Sequence, residues 1–244
     1  MNDTETFALS PELEERLAAV EVADEIFARW PDYRVLVIVA DGLNRGSVQS
    51  ADGSSPLSEA EETVRALGVT DWTTHPHIAQ WMEAFKGFGA KPKRTSPSAL
   101  ALLKRVNDGL PRIDPITDCY NAISISHVLP IGGEDFAAYV GHPRLVLAAG
   151  DEPFDTIDQG EPVIDHPAPG EVIWRDDLGV TCRRWNWRQG VRTRITGDTT
   201  TALFILEALG AMPDDELLAA GAELNEGLRA MSPAVAIGSR LIRS

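Results

Sequence analysis

The pattern of apolar and polar residues predicts helices through most of the first half of the chain. Between Ser10 and Trp30 the apolar side chains recur at helical spacing, and Ser10 followed by Pro11 is typical of a helix that begins with an N-cap and a first-turn proline. We therefore expect one opening helix that ends near Trp30 and Pro31. Capping residues and glycine stops predict further helices over residues 58–68, 76–88 and 96–106, and a last helix over residues 214–231.

Strands are predicted at one early position and then in the second half. Residues 34–43 contain an unbroken apolar run that stops at Asp41 and Gly42, which is typical of a buried strand. Residues 144–150 form another apolar run, and a hairpin is expected around residues 177–179 because a turn sequence separates two strand-like segments. Helices that come first and strands that come later favour an α+β fold over an alternating parallel-sheet fold.

The composition is that of a globular protein outside the membrane. Apolar residues make up 43% and charged residues 24% of the 244 residues, which is an ordinary balance. No apolar run approaches the roughly 18 residues that a membrane span needs. The acidic start of the sequence has neither the basic nor the apolar region of a signal peptide. We expect a cytoplasmic protein in which Cys119 and Cys182 stay reduced.

Charge is distributed unevenly over this acidic chain. The net charge of −15 argues against indiscriminate binding to nucleic acid. All four lysines nevertheless lie between Lys86 and Lys104, where Arg94 and Arg105 join them, and five arginines with no acid lie within residues 183–194. These two basic segments either guide one nucleic-acid feature to the protein or pair with the surplus acids. The sequence leaves both alternatives open.

Common catalytic signatures are absent from the sequence. It has no phosphate-binding G-x-x-x-x-G-K, no G-x-G-x-x-G, no G-x-S-x-G and no H-E-x-x-H. His75 and His77 have no acid or cysteine at metal-ligand spacing, so a surface turn is the better interpretation. Asp176 and Asp177 fit a hairpin turn better than a catalytic carboxylate pair, and His127 fits a structural histidine. The sequence indicates neither a metal site nor a cofactor.

Two segments carry candidate chemistry, and the first is LPIGGEDF. Gly132 and Gly133 permit a close backbone approach to a ligand, and N–H groups there can hold a carbonyl or phosphate oxygen. The acid that follows, Glu134, can orient a water. A plain glycine turn followed by two solvated acids explains the same residues. The segment alone does not decide between these interpretations.

The second segment is CRRWNWRQGVRTR. On a continuous strand Arg184, Asn186 and Arg188 share one face, and Trp185 and Trp187 share the other. Arginine suits phosphate recognition because its planar guanidinium presents a fork of donors. We therefore interpret the arginines as phosphate ligands and the tryptophans as core residues.

Six segments in a fixed order resemble a known family. They follow one another as their counterparts do in the B3/B4 editing domain of the bacterial phenylalanyl-tRNA synthetase β subunit: SPSALALLKRV, LPRIDPITDCYNAIS, LPIGGEDF, RLVLAAGDEPFDTID, VIWRDD and RTRITGDTT. Asp118 and Asn121 match the aspartate and an asparagine of the family's N-N-V-V-D-I-T-N-Y segment. Glu134 stands where the family carries a histidine. The resemblance covers residues 96–210 and extends more loosely back to residue 34.

This resemblance implies an α+β fold in which helices pack around an unusual β-sandwich or mixed sheet. It implies one B3/B4-like domain over residues 1–244, with an N-terminal helix over 1–33, a core over 34–210 and a C-terminal helix over 211–244. It also implies a cytoplasmic hydrolase that serves translation fidelity. Such an enzyme cleaves the ester of a mischarged aminoacyl-tRNA with a positioned water, and it uses neither a metal nor another cofactor.

If the protein has that activity, the two candidate segments supply its expected site residues. Glu134 is expected to orient the water or to bind the amine, with Gly132 and Gly133 as the carbonyl cradle. The remaining substrate contacts are assigned to five side chains: Asn121, Asn186, Arg184, Arg188 and Arg192. The expected partner is the 3′ end of an aminoacyl-tRNA or a free amino acid, and neither DNA nor a membrane. The alternative is a non-catalytic module that binds an amino acid, an aminoacyl-tRNA end or a modified nucleoside.

Overall fold

The computed structural model describes residues 7–44 and 55–244. The helices in these ranges are α1 (Pro11–Ala18), α2 (Asp24–Arg29), α3 (Pro56–Ala66), α4 (Pro76–Gly87), α5 (Ser98–Leu103), α6 (Pro115–Ser126) and α7 (Asp214–Met231). The strands are β1 (Glu21–Val22), β2 (Arg34–Asp41), β3 (Ile131–Asp135), β4 (Arg144–Leu147), β5 (Phe154–Asp158), β6 (Glu161–Asp165), β7 (Val172–Arg175), β8 (Val180–Arg183), β9 (Arg188–Gln189), β10 (Thr201–Ala208) and β11 (Ala236–Arg243). Short 3-10 helices cover Trp72–Thr74, Val106–Asp108 and Phe136–Ala138.

These strands form two larger sheets and a separate hairpin. The four-stranded sheet has the order β11–β2–β10–β3, and all of its neighbours are antiparallel. The five-stranded sheet has the order β1–β4–β7–β8–β9, in which only the β1–β4 pair is parallel. Strands β5 and β6 pair only with each other. Helices packed around mixed sheets confirm the α+β fold class.

Strand β2 shows how one apolar run builds two cores. Its eight residues alternate between the faces of the four-stranded sheet, because successive strand side chains point in opposite directions. Val35 and Val37 join a cluster that includes Trp174 of the five-stranded sheet. Leu36 and Ile38 join the cluster beneath α6 and α7. A strand buried on both faces has no polar alternation, which explains the unbroken run in its sequence.

The single opening helix predicted from Ser10 to Trp30 is wrong. Helix α1 ends at Ala18, β1 occupies Glu21–Val22 and α2 covers Asp24–Arg29. Glu21 lies opposite Arg144 in a parallel pairing with β4. This long-range pairing overrides the local helical spacing, which therefore could not reveal the break. Residues 1–6 of the expected N-terminal helix lie outside the described residues.

The C-terminal helix is confirmed over its first part and wrong over its second. Helix α7 covers Asp214–Met231 as predicted, and it buries Leu217 and Leu224 against the four-stranded sheet. Residues Ala236–Arg243 form β11 instead, and each of its eight residues has a register partner on β2. Strand β11 is stabilised by backbone hydrogen bonds to β2, and the local sequence of residues 236–243 does not predict this long-range pairing.

No helix within the two described ranges is long and apolar enough to cross a membrane. Both cysteines are free. The buried strand predicted from residue 34 is confirmed as β2, and the helices predicted near residues 58, 76 and 96 are confirmed as α3, α4 and α5.

Candidate functional site

A cavity of about 600 Å³ lies where β3 and β10 of one sheet meet β7, β8 and β9 of the other. We name it the inter-sheet cavity. Helices α5 and α6 and the loop between β8 and β9 complete its walls. The register of β3 and β10 determines which side chains line this cavity. Gly132 lies opposite Ile205, and Glu134 lies opposite Leu203. Alternate residues share a face, so Gly132, Glu134, Ile205 and Glu207 all face the five-stranded sheet.

The two neighbouring glycines face opposite sides of β3. A Cβ atom added to Gly132 would meet no heavy atom within 4 Å. A Cβ atom added to Gly133 would lie 2.7 Å from Cε1 of Tyr120 and 3.0 Å from Cδ1 of Ile195. The glycine turn considered as an alternative is therefore wrong, since both residues belong to a strand. Gly132 leaves space on the cavity side, and Gly133 leaves room for the ring of Tyr120.

The backbone of Gly133 faces the outer edge of the four-stranded sheet. Its carbonyl accepts a hydrogen bond from Nε2 of Gln189 on β9, at 2.9 Å. In an antiparallel ladder the N–H and C=O of one residue point to the same side. The N–H of Gly133 therefore also points away from β10, whereas Gly132, the next residue, directs its backbone groups towards β10.

Glu134 is a buried acid of the cavity wall, with 3% of its surface exposed. The hydroxyl of Tyr139 donates to its Oε2 at 2.6 Å. Burial raises the pKa of Glu134 to about 7, because the charged form loses water, and the hydrogen bond from Tyr139 opposes this rise. A carboxyl group with a pKa near neutrality can either accept or donate a proton at physiological pH.

Asp135, the next acid along β3, has a different role. Its Oδ1 accepts from the N–H of Ala137 at 2.9 Å, which caps the 3-10 helix Phe136–Ala138. Its Oδ2 accepts from the hydroxyl of Thr199 at 2.7 Å. Asp135 therefore connects local turns of the chain, and of the two acids of β3 it is Glu134 that faces the cavity.

A second buried acid, Glu207 on β10, was not found from the sequence. Its Oε1 accepts from the hydroxyl of Tyr33 at 2.8 Å and from Nε1 of Trp174 at 3.0 Å. Its Oε2 accepts from Nδ2 of Asn186 at 2.9 Å. Burial raises the pKa of Glu207, and these hydrogen bonds oppose the rise. The only signal in the sequence was one acid inside the apolar run TALFILEALG.

The loop between β8 and β9 is not the continuous strand that was predicted. Arg184 and Trp185 have φ angles of +49° and +67°, so the chain turns sharply there and the expected alternation of faces is wrong. Trp185 is fully buried and packs against Trp30 and Trp81, with ring centroids 4.7 and 5.1 Å away. The core position predicted for Trp185 is confirmed.

Asn186 is held inside this loop at the cavity wall. Besides its bond to Glu207, its Oδ1 accepts from the N–H of Ser98 at 3.4 Å. Asn121 reaches the same cavity from α6 and is 8% exposed. Among the described residues its side-chain amide forms no hydrogen bond, and its polar atoms are open to the cavity. Asn121 is therefore suited to donate to a ligand and to accept from it.

The three predicted phosphate ligands occupy different environments. Arg192 donates to both carboxylate oxygens of Asp176 at 2.9 Å and to the carbonyl of Ala138 at 2.7 Å. Asp176 is fully buried and also accepts from the N–H groups that follow it, so the interpretation of Asp176 as a turn residue is confirmed. Arg184 and Arg188 both lie over the ring of Trp187, at 4.4 and 4.6 Å from its centroid.

Among the residues that the structure describes, four exposed cations line the cavity: Arg94, Lys104, Arg105 and Arg188. None of them forms an ion pair with a residue in the described ranges. Internal pairing with surplus acids does occur elsewhere, because Arg183 binds Glu171 at 2.9 Å and Arg192 binds Asp176. The internal-pairing alternative thus explains part of the second basic segment and does not explain the four cavity cations.

His77 is not part of a surface turn. It is buried in α4, where Nδ1 lies 2.9 Å from the carbonyl of Val128 and Nε2 accepts from Nε1 of Trp81 and from the N–H of Leu209. Burial lowers the pKa of His77 to about 4, so the ring is neutral. Within the described part of the chain, no group of three His, Cys, Asp or Glu side chains is arranged to hold a metal ion.

The arrangement therefore combines exposed positive charge with two acids and an unpaired amide in the interior. Such a cavity suits a ligand that carries phosphate at one end and a hydroxyl, amide or ammonium group at the other.

Comparisons with known proteins add one family match. The family model described as "B3/4 domain" matches residues 80–212. Among solved structures, the chain is similar to an N-terminal fragment of the phenylalanyl-tRNA synthetase β-subunit from Pyrococcus horikoshii, with 12% identity and a TM-score of 0.45. That alignment covers 92% of this chain and 54% of the fragment, so the chain spans about half of the fragment's length. The comparison with curated proteins finds no match.

Proposed function

The chain belongs to the B3/4 domain family, and on that premise we propose that it hydrolyses the ester bond of mischarged aminoacyl-tRNA. The observation that carries this proposal is the inter-sheet cavity, whose mouth is basic and whose interior is acidic. An aminoacylated RNA end has the complementary pattern, because phosphates precede the terminal ribose and an ammonium group lies beyond the ester. This is also the activity that the ordered sequence segments imply.

The proposed binding mode places the phosphates outside and the ester inside. The terminal phosphates are bound by the four exposed cations of the cavity: Arg94, Lys104, Arg105 and Arg188. Because these cations have no acidic partner among the described residues, they are available to bind phosphate. Asn121 and Asn186 line the interior, where Asn121 offers its unsatisfied amide to the ribose or to the aminoacyl group. Arg192 takes no part in binding in this scheme, because Asp176 occupies its guanidinium.

Hydrolysis then needs one water and one proton carrier. The carboxylate of Glu134 takes a proton from the water as the water oxygen bonds to the ester carbonyl carbon. The N–H of Gly133 donates to the carbonyl oxygen as negative charge develops there. The bond to the ribose oxygen then breaks, and that oxygen receives the proton from Glu134. The products are the free amino acid and the deacylated tRNA, and Glu134 returns to its carboxylate form.

Cys182 lies in the same cavity and is a poor alternative nucleophile. Burial raises the pKa of its thiol well above the usual value, and the charges of Glu134 and Glu207 raise it further. Since the thiolate is the nucleophilic form of cysteine, these surroundings favour direct attack by water over a covalent thioester.

A panel of mischarged tRNAs, each labelled on its amino acid, tests the proposal. We expect release of at least one amino acid, and we expect Glu134→Gln to slow it by about 10²- to 10⁴-fold. Glu161→Gln on the exposed strand β6 is the matched control and should be fully active. If the protein releases no amino acid from any tRNA but is stabilised against heat by free amino acids, the cavity binds without chemistry and the hydrolase proposal is rejected.

A further inference from the structure

A basic notch of about 290 Å³ adjoins the inter-sheet cavity. Its walls come from the segment after α4 and from the β8–β9 loop, and its cations are Lys91, Arg94 and Arg184. Arg94 lines the notch and the cavity together. We name it the Lys91 notch.

Trp187 provides a second connection between the two depressions. Arg184, which lines the notch, and Arg188, which lines the cavity, both place their guanidinium groups over its indole ring. Cation–π contacts of this kind hold the arginine side chains in defined positions. Two cations are thus fixed on one aromatic ring, with one directed to each depression.

The Lys91 notch is positively charged in spite of the acid in its wall. That acid, Glu171, receives two hydrogen bonds of 2.9 Å from Arg183, which is itself buried. Arg184 lies further from it, with Nε 3.6 Å from Oε2. Lys91 and Arg94 are exposed and form no ion pair with any described residue. Arg183 and Arg184 therefore share the charge of Glu171, and the exposed cations Lys91 and Arg94 remain without an acidic partner among the described residues.

We infer that the Lys91 notch binds the sugar-phosphate backbone of the single-stranded RNA just before the terminal nucleotide. The inference rests on the proposed function, in which the terminal nucleotide occupies the inter-sheet cavity. A strand that enters the cavity past Arg94 carries further phosphates on its 5′ side. The notch is the adjoining surface, on which Lys91 and Arg94 have no acidic partner among the described residues. Phosphate contacts of this kind position an RNA without reading its bases.

Binding of two probes distinguishes the notch from the cavity. The first is adenosine 5′-monophosphate, which carries one phosphate, and the second is a fluorescent hexaribonucleotide with the sequence of a tRNA 3′ end. We expect Lys91→Gln and Arg184→Gln each to weaken hexanucleotide binding several-fold. Each variant should also lower the slope of log affinity against log salt by roughly 0.7 for the lost contact. Adenosine 5′-monophosphate should bind both variants as it binds the unaltered protein.

Lys93→Gln is the matched control, because Lys93 is exposed in the same segment and lines neither the notch nor the cavity. If Lys93→Gln weakens hexanucleotide binding as much as the notch variants do, only overall charge matters and the inference is overturned. Unaltered hexanucleotide binding by the two notch variants would also overturn it, and so would a protein that does not bind the hexanucleotide at all. Failure of the proposed function looks different. In that case the notch variants still weaken RNA binding, while no mischarged tRNA is hydrolysed.

Discussion

Replacing Glu134 by glutamine tests whether a cavity acid of this protein titrates near neutral pH. Burial raises the pKa of Glu134 from 4.5 to about 7, so the folded protein holds this proton more tightly than the unfolded chain does. The resulting stability is fully present below pH 4.5 and is lost as the pH rises through about 7. The difference between about 7 and 4.5 is about 2.5 units, which at 1.36 kcal/mol per unit corresponds to about 3 kcal/mol.

Glutamine removes this pH dependence and keeps the contact to Tyr139, since its amide oxygen can accept the same hydrogen bond. At pH 8 we expect Glu134→Gln to be more stable than the unaltered protein by up to about 3 kcal/mol. At pH 5 the gap should shrink to below about 1 kcal/mol, because most of the loss occurs at higher pH. The same variant should lose hydrolysis, so its stability and its activity should change in opposite directions.

Urea unfolding followed by tryptophan fluorescence at pH 5, 6, 7 and 8 measures this difference. Other titrating groups are shared by the two proteins, so their effects cancel in the comparison. Glu161→Gln, on an exposed strand, should give a small difference that does not depend on pH. A stability gap for Glu134→Gln that stays constant from pH 5 to pH 8 would show that the carboxyl group of Glu134 does not change its charge in this range, contrary to the prediction.

Two further predictions concern other positions in and near the cavity. Gly132→Val should alter the free energy of unfolding by less than about 1 kcal/mol, yet reduce hydrolysis at least tenfold. Gly133→Ala should destabilise the protein by about 1–3 kcal/mol, because its Cβ meets Tyr120. Similar unfolding midpoints for the two variants would contradict the faces of β3 assigned to the two glycines. Arg192→Gln should destabilise by about 3–5 kcal/mol, since it leaves the buried charge of Asp176 without its partner; a folded, fully stable Arg192→Gln protein with weakened RNA binding would instead make Arg192 a phosphate ligand.

The parts of the fold that the sequence predicts are those governed by local or strictly periodic patterns. Helix α7 carries a regular apolar stripe, and β2 carries an unbroken apolar run, so both were found. The break after Ala18 and the strand β11 depend on pairing with β4 and β2, which lie far away in sequence. Such pairings depend on which strands come together in the folded chain, so they cannot be predicted from a short window of residues.

The same limit applies to the candidate site. Glu134 was found because two glycines precede it, whereas its hydrogen-bond donor Tyr139 and the second acid Glu207 stand in segments without a motif. The sequence alone does not distinguish the roles of the arginines in the second basic segment. The sharp turn at Arg184 and Trp185 and the buried carboxylate of Asp176 separate them into cavity, notch and structural positions.

The place of β2 in its sheet has a consequence for biosynthesis. Strand β2 pairs on one side with β10 and on the other with β11, and both of those strands lie far downstream of it in sequence. A ribosome releases β2 long before its partners exist, and contacts of such high sequence separation form slowly. The apolar residues of β2 must therefore remain unpaired until β10 and β11 have been synthesised, and in that interval they are prone to aggregate or to bind a chaperone. Ligand binding can begin only after β10 has joined the sheet, because β10 supplies one wall of the cavity.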